Sequence, residues 1–200
     1  MPPSPGVDRE FEHLLAEIRR CRICAEHLPL GPRPVLRLSP QARVLIVGQA
    51  PGTKVHDTGL PWNDRSGDRL REWLWLDRES FYDASRVGIL PMGLCYPGRD
   101  ARGGDKPPRP ECGPQWHPQV RPRMTRVELT LLVGRYAQAY YLGKRRKRNL
   151  TETVAAWREY LPDLLPMPHP SWRTTAWQKR NAWFETKLLP ELRRRVHALM

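Results

Sequence analysis

Apolar positions recur along the chain with two different periods. Phe11, Leu14, Leu15 and Ile18 stand at helical spacing within Glu10 to Arg20, which predicts an amphipathic helix leading directly to Cys21. A proline-rich connector, Pro29 to Pro40, follows. Ala42 to Val47 then reads Ala-Arg-Val-Leu-Ile-Val, the look of a buried strand, and runs straight into the tight loop Gly48-Gln49-Ala50-Pro51-Gly52. Val87 to Met92, Leu129 to Val133 and Leu164 to Met167 are further strand-like runs, separated by helical patterns around Leu70 to Leu74, Tyr136 to Leu142 and Thr151 to Tyr160. This alternation predicts an α/β fold: a three-layer sandwich with a central parallel four-stranded sheet and helices on both faces. Thr174 to Met200 is expected to form one or two helices, with Trp177, Trp183, Phe184, Leu188 and Leu189 supplying apolar contacts. Functional sites on such sheets form in the loops at strand ends.

Composition narrows the class. At 200 residues and 40% hydrophobic, the chain suits one substantial core, so a single domain over residues 1–200 is expected, and no internal repeat is visible. No apolar run approaches the roughly 20 residues that span a bilayer, and Met1 to Arg9 lack the apolar core of a signal peptide. A cytosolic protein without a membrane partner is expected. The formal net charge is +13 and the isoelectric point near 10.3, which attracts polyanions, and arginine matches phosphate oxygens with a rigid fork. Nucleic acid is the partner this favours, although charge of one sign also serves solubility alone. Two stretches sharpen the point. Tyr96 to Pro110, with Arg99, Arg102 and Lys106, is longer than an ordinary connection, so it is either mobile or serves a partner; Lys144 to Arg148 is either a phosphate contact or a solvated turn.

All four cysteines fit one arrangement. Cys21 and Cys24 are separated by two residues, Cys95 follows after 70 and Cys112 after a further 16. In a cytosolic chain disulfides are disfavoured, whereas a Cys-x-x-Cys pair with two more thiols supplies the four ligands of an iron-sulfur cluster or a tetrahedral zinc. Spacing leaves the choice between iron and zinc open.

Two further motifs accompany them. Gly48-Gln49-Ala50-Pro51-Gly52 is followed, after five residues, by Thr58-Gly59-Leu60-Pro61-Trp62 and then Ser66-Gly67, and His169-Pro170-Ser171 follows the last strand candidate. Together with the cysteines, these residues resemble the iron-sulfur, family 4-like uracil-DNA glycosylases of the uracil-DNA glycosylase superfamily. Each motif alone is weak; three in order with family-like separations are collectively specific.

The resemblance implies a DNA glycosylase of base excision repair that hydrolyses the N-glycosidic bond of uracil or a related deaminated base. It also implies a monomer with a structural 4Fe-4S cluster on Cys21, Cys24, Cys95 and Cys112, zinc being the alternative metal. Gly48, Ala50, Pro51 and Gly52 would address the base, Trp62 would stack on it with Asn63 nearby, and Ser171 and Arg173 would touch flanking phosphates. His169 would donate to the base oxygen as the bond breaks. The first motif departs from the family: Gln49 stands where a Glu is usual, and an amide holds water but takes no proton. Asp64 is the substitute carboxylate, with Asp57 and His56 behind it; the competing reading makes Asp64 a helix cap ahead of Ser66. Pro91 likewise replaces the family's base-reading Asn, leaving Met92, Gly93 or Asn63 to line the pocket. If these losses abolish turnover, the same fold would serve as a binder of damaged or single-stranded DNA. A zinc-stabilised nucleic-acid module, with a structural His169, is the third reading.

Overall fold

A computed structural model describes residues 5–101 and 103–200. Four strands, β1 (Val44–Val47), β2 (Val87–Ile89), β3 (Leu129–Val133) and β4 (Leu164–Met167), form one sheet in the order β2-β1-β3-β4. Every pairing is parallel, with Val44 in register with both Val87 and Leu129, and Thr130 with Leu164. The helices are α1 (Pro5–Arg19), α2 (Thr53–Thr58), α3 (Arg65–Leu74), α4 (Arg78–Tyr82), α5 (Cys112–Val120), α6 (Arg135–Leu142), α7 (Leu150–Ala155), α8 (Thr174–Arg180) and α9 (Leu189–His197). None of the described helices is long and apolar enough to cross a membrane.

The strands are apolar throughout because both sheet faces are covered, yet the period of two persists in what each side chain meets. Val44, Ile46, Leu129, Leu131, Val133, Leu165 and Met167 face a core closed by α3, α4, α7 and the C-terminal helices, with Trp73, Phe81 and Phe184 as its large members. Leu45, Val47 and Leu132 point to the opposite core, which takes Phe11, Leu14, Leu15 and Ile18 of α1 together with Trp116, Val120 and Met124. Each fully buried Leu or Ile contributes roughly 1.5–3 kcal/mol relative to exposure. Gly88 keeps the second layer close, since a Cβ there would lie 2.7 Å from Met124 Cε.

Several boundaries differ from those the pattern predicts. β1 begins at Val44, and β2 ends at Ile89 instead of reaching Met92. Pro91 has no N–H to give a ladder, and beyond it the chain turns so that Met92 and Gly93 donate to the carbonyls of Gly48 and Gln49 at 3.0 and 2.9 Å. The proline-rich connector is also more than a link. Arg37 exchanges both backbone hydrogen bonds with Ile89, and Val35 N–H donates to Leu94, so the connector covers the open edge of β2. The C-terminal stretch is α8, a π-helical turn at Phe184–Leu188, and α9. β2 and β3 lie on opposite sides of β1, so connections diverge at its carboxyl end and leave a crevice there.

Candidate active site

That crevice is a cavity of about 430 Å³, within the range usual for a small-molecule site. Its floor is the loop Gly48 to Gly52 after β1. The indole of Trp62 lies directly over Gly48: a Cβ at that position would stand 2.8 Å from Trp62 Cζ2, so only glycine lets the ring approach the strand end. Trp62 itself adopts φ 57°, a left-handed conformation that costs a bulky residue about 1–3 kcal/mol. Its surroundings enforce it. Arg71, a buried residue of α3, donates to the Trp62 carbonyl at 3.3 Å, Tyr82 Oη donates to the Pro61 carbonyl at 2.9 Å, and any Cβ on Gly67 would collide with the Trp62 carbonyl.

His169 enters from the other side, on the loop after β4. Gly134 and Gln138 both donate to the Met167 carbonyl, and Thr174 Oγ1 and Ser171 N–H both donate to the His169 carbonyl, so the backbone on either side is fixed. The imidazole faces the indole of Trp62 with ring centroids 5.6 Å apart and planes tilted by 36°. Burial lowers the His169 pKa against an opposing pull from Asp64, so the ring is neutral at pH 7 and offers one N–H. Arg69 ties this loop to α3 by donating to the Ser171 carbonyl at 2.8 Å and to Thr175 Oγ1 at 3.0 Å.

Of the residues singled out from the sequence, Gly48, Gln49, Ala50, Pro51, Gly52, Trp62, Asp64, His169, Ser171 and Arg173 all line the cavity. Asn63 does not: its side-chain oxygen accepts from Arg78 at 3.0 Å. Pro91 is on the wall while Met92 and Gly93 are buried behind it. The Pro91 carbonyl accepts from His117 Nε2 at 3.1 Å, whose Nδ1 then accepts from Tyr141 Oη at 2.8 Å, a neutral arrangement that burial enforces by lowering the His117 pKa to about 4. His56 is buried with Nδ1 unpartnered, tilted against Tyr96, and Asp57 is exposed; neither lines the cavity. Asp64 caps α3, its Oδ1 accepting from Gly67 N–H at 2.8 Å, while the residue also borders the cavity.

Sequence reasoning missed what the long loop contributes. Gly98 and Asp100 pair with Lys106 and Gly104 through backbone hydrogen bonds of 2.8 Å, so that 98–100 and 104–106 run side by side as a small hairpin over the cavity mouth. Asp100 stabilises the tip by accepting from Gly104 N–H, and Arg99, Gly103, Gly104 and Asp105 line the cavity. The run Asp100 to Gly104 carries the turn residues that signal such a tip. Arg102 lies outside the described residues, and Lys106 is exposed. Trp172, 78% exposed, stands on the opposite lip beside Arg173. The basic run at Lys144 to Arg148 is a surface turn in which Lys147 pairs with Glu159, Arg148 with Glu152, and Arg145 stacks on Tyr160.

The four cysteines are all free thiols, drawn from the turn after α1, the segment after β2 and the first residue of α5. Cys24 and Cys95 share a small apolar cluster with Leu28, and Cys112 Sγ accepts from Leu94 N–H at 3.3 Å. Burial pushes the Cys95 thiol up to about 11 and the Cys112 thiol to about 12, and in both cases Cys21 and Cys24 push the same way. The thiols thus stand within electrostatic reach of one another. Among the described residues, however, no group of three or more His, Cys, Asp or Glu side chains is arranged to hold a metal ion.

Residues 37–193 match a family model described as the uracil DNA glycosylase superfamily, a span that includes Trp62, His169, Cys95 and Cys112 and leaves Cys21 and Cys24 outside it.

Proposed function

The chain belongs to the uracil DNA glycosylase superfamily, and on that premise we propose that it hydrolyses the N-glycosidic bond of uracil, or of a related deaminated base, in DNA. The observation that carries this reading is the pairing of Trp62 and His169 across one cavity above the Gly48 to Gly52 loop. A base inside a duplex is reached only after it swings out of the stack, and the enzyme must offer it a ring to stack on and donors for its edge. Trp62 offers the ring. As the C1′–N bond breaks, its electron pair moves onto the departing base, and an N–H aimed at the base oxygen stabilises that charge. A neutral His169, held by its backbone bonds, is such a donor. Arg99 and Arg173 at the mouth suit the phosphates on either side, and exposed Trp172 suits the gap that the flipped nucleotide leaves in the stack.

The four thiols are a suitable donor set for a structural 4Fe-4S cluster, in which each iron takes one thiolate. The same four thiolates would also satisfy tetrahedral zinc, the alternative metal. The cluster would tie the turn after α1 to the segment after β2 and to α5, and it supplies no step in hydrolysis. Iron and acid-labile sulfide content of aerobically purified protein, against zinc content, tests this reading.

Gln49 and Pro91 on the cavity wall favour a second reading, a DNA binder with little or no turnover, because Gln49 supplies no carboxylate and Pro91 no side-chain amide to read a base edge. The two readings separate in an assay of abasic sites. Oligonucleotides bearing uracil, hypoxanthine or xanthine are incubated with the protein and cleaved with alkali. Strand scission by wild type that is lost in His169→Ala supports the glycosylase; tight binding with no scission on any substrate supports the binder.

A further inference from the structure

The cavity lacks a carboxylate at position 49, but the hairpin over its mouth brings one. Asp105 Oδ2 reaches to 3.4 Å from where a Cβ on Gly52 would be, so the carboxylate hangs over the outer end of the loop whose inner end, Gly48, carries the Trp62 ring. A nucleotide entering base first would lay the face of its base against Trp62 with an edge toward His169, and its sugar nearer the mouth. We infer that Asp105 is the carboxylate of the reaction, facing C1′ of the flipped nucleotide, where it holds the attacking water and stabilises the electron-poor sugar. This inference rests on the glycosylase reading above.

Three observations set Asp105 apart from a loop brace. The hairpin tip is held by backbone hydrogen bonds and by the side chain of Asp100, and Asp105 contributes only its backbone to the pairing with Arg99. No hydrogen bond or ion pair among the described residues engages its carboxylate, although Arg99 and Arg173 both lie near enough to influence its charge. Arg173 also approaches the hairpin itself, its Nη1 standing 3.6 Å from a Cβ placed on Gly104. Asp105 is exposed as a residue, yet crowding around its carboxylate raises the pKa, with Asp64 across the cavity adding to the rise and the two arginines opposing it. A carboxylate at the mouth of a cavity that must admit a polyanion weakens binding by charge repulsion. Its place there is explained if positive charge develops at the sugar during the reaction.

The chemistry balances without a further reactant. The C1′–N bond breaks with its electron pair leaving on the base; a water oxygen forms the new bond to C1′, and its proton passes to Asp105. That proton, returned through solvent, accompanies the release of the base in neutral form. Asp64 also lines the cavity, but its Oδ1 is held by the N–H of Gly67 at the start of α3, whereas neither oxygen of Asp105 accepts a hydrogen bond from the described residues.

The test is single-turnover base release, with affinity for the same oligonucleotide, for wild type, Asp105→Asn and Asp105→Glu. A catalytic Asp105 predicts a fall in rate of about 100-fold or more in Asp105→Asn, with unchanged or tighter DNA binding, and partial recovery in Asp105→Glu. It also predicts that the wild-type rate climbs as pH rises through the raised Asp105 pKa, and that this limb disappears in Asp105→Asn. If wild type releases base and Asp105→Asn does so at a similar rate, or loses rate only in step with lost binding, the assignment is wrong while the glycosylase reading stands. If wild type releases no base, the glycosylase reading itself fails.

Discussion

Asp64 borders the cavity and also caps a helix, and two substitutions pull these roles apart. Its Oδ1 accepts the N–H of Gly67, one of the donors left open in the first turn of α3, and its charge lies near His169. Asn caps about as well as Asp, whereas Ala loses the hydrogen bond and costs about 1 kcal/mol. For a chain of this size that amounts to a midpoint lower by about 2–4 °C. Asp64→Ala is therefore expected to melt a few degrees below wild type and Asp64→Asn close to it. In the activity assay, removing the charge removes the influence that raises the His169 pKa, so the imidazole remains neutral at pH 7. Base release by Asp64→Asn at that pH is then expected to stay within tenfold of wild type, about 1.4 kcal/mol of barrier. Thermal melts followed by single-turnover release at pH 7 give both quantities from one preparation. A fall of about 100-fold or more in Asp64→Asn with an unchanged melt would refute this division, making Asp64 the catalytic carboxylate that the sequence suggested.

Other expectations follow from neighbouring residues. The His117 pKa of about 4 lies below its ordinary 6.5, so as pH falls the unfolded chain takes up the proton first. Stability should then decline between about pH 6.5 and 4, by about 3 kcal/mol in total, and chemical denaturation across that range should show a smaller decline in His117→Gln. Gly48→Ala places a methyl 2.8 Å from the Trp62 ring, and the expected result is slower base release with a stability cost of about 1–3 kcal/mol, read from denaturation midpoints. Arg173→Ala should weaken DNA binding on all sequences alike and lower the slope of log affinity against log salt by about 1.

How far the sequence spoke depended on the range of the interactions involved. β3 and β4 have the bounds that their apolar runs predict, because each run is flanked by residues that break a strand. β2 is shorter because Pro91 ends it, which an apolar count does not register. α5 went unrecognised because its sequence carries Pro114 and Pro118; one stands in the first turn, where its missing N–H costs nothing, and tertiary packing of Trp116 and Val120 overrides the other. The cavity shows the same division. Trp62 and His169 stand within short motifs, so their importance is visible in the sequence. Asp105 and Arg99 reach the site only because a hairpin folds back across the mouth, a pairing that depends on distant contacts with Gly52 and Arg173. Asn63, adjacent to Trp62 in sequence, turns to Arg78 instead.

The central claim is that Trp62 and His169 together strip a base from DNA. Its most direct test is single-turnover release of free base from a uracil-containing oligonucleotide by wild type and by His169→Gln and His169→Ala, each at saturating protein with binding measured in parallel. The account predicts release by wild type and a loss of about 100- to 1,000-fold in His169→Ala at unchanged affinity, since one donor to the leaving base is gone. Equal release by wild type and His169→Ala would contradict it.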